Sequence, residues 1–98
     1  MTNKDLDNIR ETLKGVIAFE RGKLNDTKGT WFGEINGIKI HLAEGDESQA
    51  HVWIGCYLGT ALMATAVVEN CKVALNEKSI VFRDGNFAMY LDLEEAKK

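Results

Sequence analysis

Apolar and polar residues recur along this chain with two different periods, and the change of period marks out its elements. From residue 3 to about 21, Leu6, Ile9, Leu13, Val16 and Ile17 recur at three- and four-residue intervals, with Lys4, Asp7, Glu11 and Lys14 largely opposite. That is the period of an amphipathic helix with one face to bury. Thr2 or Asn3 can cap its start, Asp5 falls in the first turn and Gly22 is a natural stop. The stretch from Gly22 to Gly29 is polar and reads as a turn-rich link.

Past Gly29 the period drops to two. Asn36-Gly37 lies between alternating residues and signals a type I′ hairpin, because both central turn positions need positive φ. A two-residue loop there predicts the register over 30–43. Ile35 faces Ile38, Glu34 faces Lys39, Gly33 faces Ile40, Phe32 faces His41 and Trp31 faces Leu42. One face then carries Trp31, Gly33, Ile35, Ile38, Ile40 and Leu42 and is expected in the core. The other carries Thr30, Phe32, Glu34, Lys39, His41 and Ala43.

The acidic loop EGDESQ leads into HVWIGCYLGTALMATAVVEN. Residues 60–78 admit a helix, since Ala, Leu and Met favour one, but apolar side chains would then surround nearly all of its first half. Val52, Ile54, Cys56 and Leu58 alternate, Gly59-Thr60 suits a type II′ turn, and Thr65, Val67 and Val68 favour strands, so 51–69 is read as a hairpin. A regular register puts Val52, Ile54, Cys56, Leu58, Met63, Thr65 and Val67 on one face. His51, Trp53, Gly55, Tyr57, Leu62, Ala64, Ala66 and Val68 take the other. Both faces are largely apolar, which predicts a helix against one and a second layer or a partner subunit against the other.

One-sided strands return at Lys72–Leu75, Ser79–Arg83 and Asn86–Leu93, with turns at Asn76-Glu77-Lys78 and Asp84-Gly85. Phe82 is expected opposite Phe87 and Ile80 opposite Met89, with Leu91 and Leu93 on the same inner side; Val81, Arg83, Ala88, Tyr90 and Asp92 lie outside. The tail EEAKK reads as solvated. The pattern predicts an α+β fold, an N-terminal amphipathic helix packed on a twisted antiparallel β-meander of about six strands, in a single domain spanning 1–98 with hairpins over 30–43, 51–69 and 72–93. With 45% hydrophobic residues, 98 residues can bury roughly two-thirds of their unfolded surface.

Composition narrows the function classes. A formal charge of −3 and a pI near 5.3 argue against a general nucleic-acid binder. Arg21, Lys23 and Lys28, the nearest approach to a basic cluster, sit where cations relieve a helix end. The apolar run Ala61–Val68 is far short of the roughly 20 residues of a spanning helix, and the first twenty residues carry charges throughout. No membrane is expected. Cys56 and Cys71 form no disulfide framework and no C-x-x-C pair, which suits a reducing compartment and points to the cytoplasm.

Candidate chemistry is sparse. His41, His51, Cys56 and Cys71 lack metal-ligand spacing, and Glu44, Asp46 and Glu47 lack the pattern of a calcium loop. Ser48 and Ser79 lie in no nucleophile motif, no glycine-rich phosphate loop is present, and no cofactor is called for. Two surfaces stand out. Trp53, Tyr57 and His51 around the small residues Gly55, Ala64 and Ala66 have the composition of an apolar pocket, or of a seat for a helix or a second subunit. Phe32 and His41, and Tyr90 with Arg83, offer outer-face contacts for a ligand, anion or partner strand. The expected role is a non-enzymatic binding or assembly module, homodimeric or larger through its second apolar sheet face; the alternative is a small-ligand domain with an aromatic-lined pocket at Trp53, Tyr57 and His51.

Overall fold

The computed structural model describes residues 1–22, 29–46, 49–85 and 87–92. The readings made above for residues 23–28, for Glu47 and Ser48, for Asn86 and for the tail over 93–98 lie outside the described residues, as does the side chain of Phe87.

Helix α1 runs over Asn3–Leu13 and starts on a capping box. The Asp5 amide donates to the Thr2 hydroxyl at 3.2 Å, and the Thr2 amide donates back to the Asp5 carboxylate at 2.8 Å. These bonds to Thr2 hold the Asp5 carboxyl below its ordinary range. Leu6, Ile9 and Leu13 form the buried stripe.

The helix stops at Leu13 rather than near residue 21. Val16 and Ile17 both donate their amides to the Leu13 carbonyl, closing a last turn around Gly15, a residue about 1 kcal/mol less favourable in a helix than alanine. Ile17 is buried, as its period predicts, but the chain then extends into strand β1, Glu20–Gly22. Pairing with the next strand outweighs continued helix here, because it satisfies the same backbone groups and lays Ile17 and Phe19 directly against Gly33.

Strands β2 (Thr30–Ile35), β3 (Ile38–Ala43), β4 (His51–Leu58) and β5 (Ala61–Val68) complete a five-stranded antiparallel sheet in the order β1-β2-β3-β4-β5. The β2–β3 register is the one expected at every position, with Asn36 at φ 49° and Gly37 at φ 78°.

The β4–β5 register departs from expectation after its turn. Leu58 faces Ala61 and Tyr57 faces Leu62, but Cys56 then faces Ala64, leaving Met63 as the extra residue of a β-bulge. Side chains alternate strictly, so one extra residue reverses every face beyond it. Ala64, Ala66 and Val68 turn toward the face of Cys56, Ile54 and Val52, while Thr65 and Val67 join Gly55 and Trp53. This puts Val68 beside Val52 in the interior and the hydroxyl of Thr65 outside, where a regular register would have done the reverse.

A second sheet of β6 (Lys72–Leu75), β7 (Ser79–Asp84) and β8 (Phe87–Asp92) follows in the order β6-β7-β8. The chain thus forms an α+β fold, with one helix and eight antiparallel strands among the described residues and the meander broken into two sheets at residues 69–71. In the β7–β8 hairpin Gly85, at φ 56°, opens the turn, and Asp84 faces Phe87, Phe82 faces Met89 and Ile80 faces Leu91. The slip from the expected pairing is two residues, so Ile80, Phe82, Met89 and Leu91 keep their inner face.

The helix and both sheets share a core of Leu6, Ile9, Leu13, Ile17, Ile40, Leu42, Val52, Ile54, Val68, Ile80 and Phe82. Helix α1 lies beside β6, and its start is tied to the five-stranded sheet. The Met1 ammonium donates to the carbonyls of Ala50 and Glu69, which flank the β4–β5 hairpin. Asn3 exchanges two hydrogen bonds of 3.1 Å with the backbone of Gly45. Among the described residues no helix is long and apolar enough to cross a membrane.

Candidate functional site

The inner face of the five-stranded sheet is spent on the core, so its outer face and free edge carry what remains. Strand registers align Glu20, Phe32, His41, Trp53 and Val67 in one row across all five strands. His41 meets Phe32 edge-on at 4.7 Å between ring centroids and stacks on Trp53 at 4.6 Å. Such contacts contribute about 0.5–1.5 kcal/mol each beyond the area they bury. Glycines give the large rings room: a methyl group at Gly22 would strike Phe32, and one at Gly55 would strike Trp53. Burial, and then the Lys39 ammonium, hold the His41 pKa below its ordinary value of 6.5. The imidazole in the middle of the row is therefore neutral at pH 7.

The expected pocket does not assemble. Gly55 lies under the Trp53 ring itself, and the bulge turns Ala64 and Ala66 to the opposite side of the sheet, so the three small residues form no common floor. Nor do Trp53, Tyr57 and His51 converge. Tyr57 receives the Lys39 ammonium 4.6 Å from its ring centroid, whereas the His51 Nδ1 lies 3.3 Å from the Gln49 carbonyl beside a separate cleft reaching Val67 and Glu69. A cleft of about 350 Å³ instead adjoins Phe32 and His41, lined also by the exposed carboxylates of Glu20 and Glu34 and by Lys39.

Arg83 and Tyr90, on the outer face of the second sheet, are joined by a single Nη2–H to Oη hydrogen bond of 3.3 Å. Cys56 is half-buried and Cys71 buried; loss of solvent and then the Asp84 carboxylate push the Cys71 thiol up to about 11, so it stays protonated. Among the described residues, no three His, Cys, Asp or Glu side chains group so as to hold a metal ion.

Comparison with protein-family models, curated proteins and solved structures gave no match. The surface chemistry of this chain is what carries a functional reading. Its most distinctive surface is one that pattern reading placed elsewhere: Leu58 is 73% exposed, Met63 65%, Val67 59% and Leu62 48%, the first at the end of β4 and the others on β5. The signal for it was the absence of any charged residue between His51 and Val68. Which of those apolar residues reach solvent depends on the bulge and on the strand's place at the sheet edge.

Proposed function

We propose that the protein is a non-enzymatic assembly module that works as a homo-oligomer in the cytoplasm, through the apolar surface of the β4–β5 hairpin. The observation that carries this reading is the exposure of Leu58, Leu62, Met63 and Val67, distributed over both faces of a hairpin without a charge. Covering one such side chain fully stabilises a complex by about 1.5–3 kcal/mol before the costs of association. Two free cysteines suit a reducing compartment. Light scattering across a wide concentration range tests the reading: the molar mass rises from 10.9 kDa to at least twice that value. A single-chain mass at every concentration overturns it.

A second reading draws on the cleft beside Phe32 and His41. An aromatic wall with two carboxylates and the Lys39 ammonium around it suits a small ligand with an apolar body. The ring of Trp53, stacked on His41, would report such binding through its fluorescence.

A further inference from the structure

We propose that β5 pairs antiparallel, edge to edge, with the β5 strand of a second copy about a two-fold axis at Ala66, joining two five-stranded sheets into one; this rests on the assembly reading above.

Sheet edges are normally blunted by shortness, charge, proline or a bulge, because their unpaired amides and carbonyls are a template for another strand. The other edge of the same sheet, β1, has three residues, two of them Glu20 and Arg21. Both edges of the second sheet carry a charge, Lys72 on β6 and Asp92 on β8. Strand β5 has eight residues with neither charge nor proline, and its single irregularity lies at Met63. Beyond the bulge, Ala64–Val68 is regular and its outer edge faces no other strand among the described residues.

A complementary occupant is an extended, uncharged segment of similar length. Of the edge strands described here, β5 itself has that composition, so a second copy supplies what the first requires. A two-fold axis at Ala66 centres the regular stretch and sets Ala66 against its own counterpart, Thr65 against Val67 and Ala64 against Val68. No charges oppose one another, small side chains dominate the inner side, and the exposed Leu62 and Met63 lie at the margins of the joint. The contact is isologous and uses both free edges at once, which closes the assembly at two copies.

The test uses the full chain in three forms: native, Thr65→Lys/Val67→Lys, and Ala66→Cys with Cys56→Ser. Both lysines replace exposed residues, and circular dichroism checks that the fold persists. The native protein is expected to be a dimer by light scattering. The lysine variant is expected to be a folded monomer, its association on the order of a hundredfold or more weaker. Ala66→Cys is expected to form a disulfide-linked dimer on mild oxidation, whereas Ala88→Cys in the same background, exposed on β8, does not. A native dimer that the lysines leave intact and Ala66→Cys does not cross-link overturns strand pairing while sparing the assembly reading. A native monomer overturns both. Should the lysine variant unfold, cross-linking at Ala66 decides, and its failure in a dimeric protein overturns the proposal.

Discussion

His41 illustrates what a single side chain contributes on this sheet. Its imidazole is held between Phe32 and Trp53, partly shielded and beside Lys39, so the fold favours the neutral form. The folded-state pKa lies below the unfolded one, and the resulting stability is complete above about pH 6.5. It is lost as pH falls below the unfolded value toward the folded one. Urea midpoints at pH 7.5 and pH 5.0 should therefore fall less on acidification in His41→Phe than in the native protein. An equal drop in both would mean that the ring is not shielded as described. The partners of His41 differ in how far the sequence disclosed them. Phe32 follows from the Asn36-Gly37 turn; Trp53 does not, because the sequence over 44–50 carries no turn signal that fixes the β3–β4 register.

At the scale of elements, the turns at Asn36-Gly37 and Gly59-Thr60 were readable, whereas the pairing across Asp84-Gly85 slipped by two residues and the irregularities left no signal. Asn36-Gly37 and Gly59-Thr60 each hold their strands in the expected starting register. The bulge at Met63 has no local sequence signal; it is chosen because it sends Val68 inward and Thr65 outward. Deleting Met63 provides a direct check. It would leave Leu62 opposite Tyr57 and Ala64 opposite Cys56, so no residue changes face. The variant is expected to stay folded within about 1 kcal/mol of the native protein by chemical denaturation, a typical scale for a change away from the core. Loss of the fold would mean that the bulge itself, with its added twist, is required. The end of α1 shows the same limit from the other side: Val16 and Ile17 continue the helical period, yet pairing of Glu20–Gly22 with β2 draws the chain out of it.

For the whole molecule, one apolar interior joins α1 and two sheets that share no strand. Phe82, fully buried on the middle strand of the smaller sheet, is central to that union. Phe82→Ala is expected to cost about 3–5 kcal/mol in denaturant unfolding, and to do so for both sheets in one transition. Separate transitions, read by Trp31 and Trp53 fluorescence against far-ultraviolet dichroism, would contradict a common core. The sequence by itself determined the α+β class, the helix start, the β2–β3 register and the inner face of the last hairpin, because each rests on a period or a turn set within a few residues. Only the tertiary structure decided where α1 ends, that the meander divides after Val68, and which face of β5 carries Ala64, Ala66 and Val68. Those outcomes depend on burial between segments distant in sequence, where an apolar residue with two possible faces goes to whichever the rest of the fold leaves dry.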